Sequence, residues 1–291
     1  MSLRNRVSRL LPLVLLAVAA PVAGQAGATP AGGSRAANPD PESVRPIDLH
    51  DSVWIEDLTW MEVRDLLREG RRTVLIPTGG IEQNGPYLVL GKHNVILRAT
   101  MEAVARKLGD ALVAPVVPFV PEGLIDPPSG HMRYPGTVSV RAETFHSLLL
   151  DLCRSMRAHG FEQIILLGDS GGNQEGMAAV AAQLSREWQG TGTSAHFVPE
   201  YYEFDYAGWI ASQGIVETDE GLHDDVRHSA IMMLVDPRSV RMEERIAADR
   251  FSINGVELAP ADSTLALARR LVDAQADATV EAIRRRVARS R

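Results

Sequence analysis

One cysteine, few aromatic residues and no excess of positive charge limit what this 291-residue chain can be. Cys153 has no partner for an internal disulfide, so the fold is not a disulfide-stapled scaffold. It lies beside a helical stripe of Phe145, Leu148, Leu149, Leu152 and Met156, which marks it as a core thiol rather than a nucleophile. Aromatics make up 5% of a composition that is 45% hydrophobic, so the apolar content is mainly aliphatic. A formal net charge of −7 argues against a nucleic-acid binder, which needs a basic face to neutralise phosphates. A small-molecule partner is expected instead. The chain has no Walker loop, no G-x-G-x-x-G fingerprint and no internal repeat. Its N-terminal apolar run, Leu10 to Ala20, is too short to span a bilayer comfortably.

That run follows Arg4, Arg6 and Arg9 and precedes Ala26-Gly27-Ala28, the pattern of a secretory signal over residues 1–28. Cleavage removes three arginines and no acid, taking the net charge from −7 to about −10. An exported protein, periplasmic or secreted and without a membrane anchor, is expected. Residues 29–50, rich in Ala, Gly, Pro and Ser up to Pro46, read as a flexible leader. Residues 51–291 suffice for one large core.

Within that domain, apolar strands alternate with helical patterns. Thr59 starts a capping box with Glu62, and the helix it opens runs to Leu67. Strands are expected at Thr73 to Ile76, Leu112 to Phe119, Gln163 to Leu167 and Ala195 to Val198. Helices are expected at Asn94 to Leu108, Arg141 to His159, Gln174 to Trp188, Ile231 to Leu234 and Ser263 to Arg289. This alternation predicts a single α/β domain with a mainly parallel sheet and helices on both faces.

Chemistry-bearing residues gather where strands end. After Ile76 the chain enters PTGGIEQNGPYLVLGKHN, which carries Glu82, Asn84 and His93 beyond the carboxyl end of a buried strand, where open α/β sheets bind ligands. The loop PEGLIDPPSGHMRYPG, Pro121 to Gly136, is of a length that usually marks a lid or binding loop, and holds Glu122, Asp126, His131 and Arg133. The strand ending at Leu167 empties into Gly168-Asp169-Ser170-Gly171-Gly172-Asn173. Its paired glycines admit a ligand close to the backbone, and the following helix aims free amides at an anion. Asp169 is either a cation ligand or a helix cap. The segment also fits G-x-S-x-G, so Ser170 is a candidate nucleophile if His223 or His228, with an acid, completes a triad. Finally, His223-Asp224-Asp225-Val226-Arg227-His228 packs two histidines and two aspartates into six positions before an apolar helix. The histidines suit metal ligation, though acids at a helix start are favourable on dipole grounds alone. Arg227 reads as an exposed charge at that helix start.

In order and spacing, these clusters resemble the creatininase family of amidohydrolases. Its motifs EQHGPHLPLGTD, GHxxxPGT, NGHGGN and HAGxxETS correspond to Glu82 through His93, Gly130 through Thr137, Gly168 through Asn173 and His223 through Ala230. The resemblance implies an α/β fold, divalent metal (zinc or manganese), cleavage of cyclic or linear amides, and a homo-oligomer, possibly a hexamer. The departures matter too. The family's second loop histidine falls on Asn84, its bridging aspartate on His93, its NGH histidine on Ser170 and the glutamate of HAGxxETS on His228, so that only Glu82 remains of those ligands. Two histidines are lost while His93 and His228 appear, which implies a rearranged site of Glu82, His93, Asp169 and His228. A histidine cannot bridge two cations as a carboxylate does, so one ion is expected rather than two.

The sequence therefore predicts a metal-dependent hydrolase acting on a C–N bond of a small amide. His223 matches the HAG histidine and takes the role of general acid or base. Ser170 and Asn173 complete the catalytic group, the backbone from Ser170 to Asn173 holding an oxyanion. Asn84, His131, Arg133, Gly171 and Gly172 contact substrate. Two other readings stay open: a binding protein that has lost its metals, and a serine hydrolase using Ser170.

Overall fold

The computed structural model describes residues 39–290. The signal sequence and the leader as far as residue 38 lie outside the described residues. Arg45–Arg291 form one compact unit, which begins ahead of Asp51, the start expected from sequence. The reason is local: Arg45 pairs with Asp65 at 3.1 Å, and His50 N donates to the buried Glu62 at 2.7 Å. Both acids belong to α1 (Trp60–Arg68), whose Thr59–Glu62 capping box forms as the sequence predicts.

Four strands, β1 (Thr73–Thr78), β2 (Ala111–Val113), β3 (Gln163–Gly168) and β4 (Ser194–Phe197), make one sheet in the order β2-β1-β3-β4, all parallel. Successive side chains of a strand point to opposite faces. Val74, Ile76, Ile164 and Leu166 accordingly pack against α1, α3 (Ala142–Ala158) and α4 (Gln174–Glu187) through Leu66, Phe145, Leu149, Cys153, Met177 and Leu184. Leu75, Ile165 and Leu167 pack on the other face against α2 (Lys92–Leu108) and the long C-terminal helix (Ala261–Ser290) through Leu97, Met101, Val104, Ala276 and Ile283. Burial on both faces explains why β1 and β3 read as continuous apolar runs. Cys153 is fully buried, and burial pushes its thiol up to about 12.

Three departures from the sequence reading have physical causes. The expected strand Leu112 to Phe119 stops at Val113, because Pro115 and Pro118 cannot donate to a ladder. Between them, Val117 makes a single bridge to Thr78, which keeps the chain beside β1 until it delivers Glu122. The second helix starts at Lys92 rather than Asn94, placing Lys92 and His93 in its first turn. Two short helices, α5 (Tyr206–Ser212) and one at Met242–Ala247, and a hairpin of Ser252–Ile253 with Val256–Glu257 were not anticipated, being too short to show a period. Between them lies α6 (Val226–Val235), longer than expected and capped by Asp225. No helix among the described residues is long and apolar enough to cross a membrane.

Candidate active site

In the order β2-β1-β3-β4, connections leave β1 toward one edge and β3 toward the other, and a crevice opens at the carboxyl ends where the winding reverses. Glu82 follows β1 at this point and Asp169 follows β3. Asn173 fastens the two strand ends, its Nδ2 donating to Thr78 O at 3.0 Å and Gly79 O at 3.1 Å. Its side-chain oxygen accepts from Gln174. The side chain of Asn173 is therefore a structural tie between the two strand ends. The cavity over the strand ends has a volume of about 640 Å³, and its walls include Glu82, Lys92, His93, Glu122, His131, Asp169, Ser170, Gly171, Gly172, Tyr202, His223, Arg227 and His228. A larger cleft of about 900 Å³ lies beside β4, where His196 faces Gln163 rather than a carboxylate.

The deep half of the cavity is a chain of ion pairs. His93 stands between two carboxylates, with Nε2 at 2.7 Å from Glu82 Oε1 and Nδ1 at 2.8 Å from Asp169 Oδ2. Lys92 Nζ is 3.2 Å from Glu82 Oε1, and Arg227 Nη2 is 3.3 Å from Asp169 Oδ1. Burial opposes the charge on His93, but its bonds to Asp169 and Glu82 prevail and raise its pKa. Burial likewise opposes ionisation of Asp169, yet Arg227 and then His93 hold its carboxyl below the ordinary range. The expected ligand set of Glu82, His93, Asp169 and His228 shares this cavity but is not one coordination sphere. Both nitrogens of His93 are engaged, and they hold Glu82 and Asp169 at opposite ends of the ring. Burial and the neighbouring Arg227 push His228 down to about 4, and its Nε2 is 2.6 Å from Arg227 Nη2.

Nearer the mouth, Glu82, His131 and His223 present one donor atom each, all within 4.8 Å of one another. Glu82 Oε2 is 3.4 Å from His131 Nε2, Glu82 Oε1 is 3.8 Å from His223 Nε2, and the two imidazoles stack at 4.8 Å. Burial disfavours ionisation of Glu82, but His93 and Lys92 outweigh it and hold the carboxyl well below the usual range. Burial and then Lys92 depress His223, leaving it neutral at neutral pH. Its Nδ1 donates to Gln83 O at 2.8 Å, which fixes the tautomer with Nε2 free to accept or ligate. The backbone reaches this pose in the left-handed region, φ 50°, a conformation a non-glycine residue adopts only where its surroundings compel it.

Glu122 completes the site and had been noticed in sequence only as a loop acid. It is buried beside Glu82 and accepts from Ser170 Oγ at 3.3 Å. Burial first and the charge of Glu82 second raise its carboxyl to about 8. Gly80 makes room for it, since a Cβ there would stand 2.3 Å from Glu122 Oε1. Gly80→Ala is therefore expected to leave the melting temperature within about 4 °C of the parent, as about 1 kcal/mol would. The same substitution displaces Glu122 and lowers turnover at least about tenfold; unchanged turnover would remove Glu122 from the chemistry.

Other expected contacts resolve differently. His131, Gly171 and Gly172 line the cavity. Arg133 is exposed and bonds Gly130 O within its own loop. Asn84 is buried, and its Nδ2 donates to Glu82 O and Val89 O, which braces the loop. Ser170 donates to Glu122, and no hydrogen bond from a histidine to its hydroxyl is found among the described residues, leaving the triad unformed. Arg227, expected at the surface, has a side chain only 11% exposed.

The sequence profile described as creatinine amidohydrolase matches residues 56–283. The chain belongs to the creatininase family. Among curated relatives, it is 33% identical over 181 residues to the mycofactocin precursor peptide peptidase of Mycolicibacterium smegmatis, covering 60% of this chain and 63% of that one. It thus spans less than two thirds of that relative's length. It is 27% identical over 119 residues to creatinine amidohydrolase of Pseudomonas putida, covering 41% of this chain and 45% of that one. Of solved structures, a creatinine amidohydrolase superposes with a TM-score of 0.56 at 21% identity, covering 80% of this chain and 96% of that one. Creatininase structures described as Mn and as Zn-Zn type each give 0.57, at 21% identity and the same coverage of both chains. At that identity the likeness establishes a shared α/β fold.

Proposed function

We propose that this creatininase-family protein is a hydrolase that cleaves a C–N bond of a small amide using one divalent ion, zinc or manganese, held by Glu82, His131 and His223. The observation that carries this reading is the convergence of these three donors in ligating form, a carboxylate and imidazoles, one of which is locked in the required tautomer by Gln83 O. Two histidines with one glutamate is a ligand set of catalytic zinc sites. The deep half does not suit a second ion, because Lys92, His93 and Arg227 already stand against the carboxylates that would receive it. His223 accordingly serves here as a ligand, not as the proton carrier expected from sequence.

A divalent ion held there supplies Lewis-acid polarisation of the scissile carbonyl and acidifies water. Glu122 does the proton work: it takes a proton from the attacking water and returns it to the leaving nitrogen. The cause that raises Glu122 is partly the charge of Glu82, so neutralising Glu82 readies Glu122 to act as a base. Gly171 and Gly172 line the cavity beside Ser170, and Gly172 lets the backbone pass close to Pro121, where a Cβ would be 2.1 Å from Pro121 O.

Turnover of a panel of linear amides and lactams, before and after chelation, tests this reading. Activity on one class that is abolished by chelation and restored by Zn or Mn is expected. Activity that survives chelation would favour the serine-hydrolase reading, and a protein that neither holds an ion nor turns over any amide would favour the binding-protein reading.

A further inference from the structure

The deep wall of the cavity holds a guanidinium whose hydrogen-bonding capacity is largely unused. Arg227, in the first turn of α6, lies over the ring of Tyr206 with its Cζ 3.7 Å from the centroid. A guanidinium carries five N–H donors in one plane. Here Nη2 alone reaches Asp169 Oδ1, at 3.3 Å, and His228 Nε2, at 2.6 Å, while Nε is buried with no partner. The Tyr206 hydroxyl behind it is buried without a partner as well. Native proteins leave few such groups, and each calls for an explanation.

A purely structural role would look different. Arg286 shows it in the same chain: its Nε and Nη2 both engage Glu200, at 3.3 Å and 2.8 Å, in the two-bond pairing that guanidinium geometry favours. Arg227 instead touches Asp169 through one long contact and faces the cavity. Lys92 adds a second cation to the same cavity, and Glu82, its carboxylate partner, also serves His93. A divalent ion at Glu82, His131 and His223 would add positive charge where the nearby carboxylates are already shared.

We infer that Arg227, stacked on Tyr206, is the specificity-determining residue of this cavity and receives a carboxylate, so that the substrate is a small amide bearing a free carboxylate group. The inference deepens the hydrolase reading and rests on it for placing substrate in this cavity. A carboxylate there supplies the planar pair of acceptors that the guanidinium lacks and offsets the added charge of the ion.

The test is calorimetric binding of N-acetylglycine and its neutral analogue N-acetylglycinamide to the metal-loaded full chain. Charge-assisted bonds of this kind predict a preference for the carboxylate of roughly 10-fold to 100-fold. Arg227→Lys keeps a cation beside Asp169 but loses the planar fork, and should reduce the preference to within about threefold of unity. Arg227→Gln should abolish it. If Arg227→Gln fails to fold, the wild type and Arg227→Lys decide. A wild type without preference, including one that binds neither compound, overturns the inference, as does a preference undiminished in the variants, which would place the carboxylate on the ion instead. The two readings fail separately: carboxylate preference without turnover of any amide would sink the hydrolase reading alone, whereas turnover of neutral amides without preference would sink only this one.

Discussion

Glu122→Gln is expected to lower kcat by roughly 10²-fold to 10⁴-fold while leaving the bound ion and the fold in place, the loss typical of removing a general acid–base group. The glutamine amide can keep the hydrogen bond from Ser170 Oγ, so the substitution removes proton transfer more than packing. The pH profile separates the two. A base must be ionised, so kcat/KM of the wild type should fall as pH drops through the Glu122 pKa. With an ion on Glu82, that limb lies below the value of about 8 that Glu122 has beside Glu82 without an ion. In Glu122→Gln the limb should vanish. A variant that keeps both turnover and limb would assign the proton work elsewhere.

The second large effect concerns stability. Asp169 has a 1% exposed side chain and balances both His93 and Arg227. Removing one partner of a buried ion pair leaves uncompensated charge, at a cost of about 3 to 5 kcal/mol. Asp169→Ala should therefore lower the melting temperature by roughly 6 to 20 °C for a domain of this size. Because Glu82, His131 and His223 are untouched, the surviving folded protein should still take up its ion. A shift under about 2 °C would contradict the stabilising role given to Asp169, and complete loss of the ion with the fold intact would mean that Asp169 is a ligand after all.

How much was legible in sequence depended on distance along the chain. β1 and β3 announced themselves as apolar runs stopped by glycine, and Thr59 with Glu62 marked the start of α1, because each signal lies within a few residues. Glu82, Asp169 and Ser170 were visible for the same reason, standing just past strand ends. Partnerships were not visible. His93 looks like a ligand until Asp169, 76 residues away, is found on its second nitrogen. Lys92 gave no sign of burial, yet its side chain is 1% exposed. Arg227 reads in sequence as an exposed charge at a helix start, whereas its aromatic support, Tyr206, comes from α5, a helix with no periodic signature. Glu122 read only as one acid of a long loop, because its burial and its contact with Ser170, 48 residues away, leave no local signal. The family resemblance located the cavity, and the altered residues within it became interpretable only with distances between them.

The central claim, one ion on Glu82, His131 and His223, is tested most directly by metal content. Purified protein loaded with Zn or Mn and freed of excess should carry one equivalent per chain by elemental analysis. His131→Ala and His223→Ala should each bind it at least about 100-fold more weakly, since even the supporting contacts of a metal ligand are worth 10-fold to 100-fold. His228→Ala should retain it. Two equivalents in the wild type, or one equivalent kept by both His131→Ala and His223→Ala but lost by His228→Ala, would contradict this account and return the site to the deeper set of His93, Asp169 and His228.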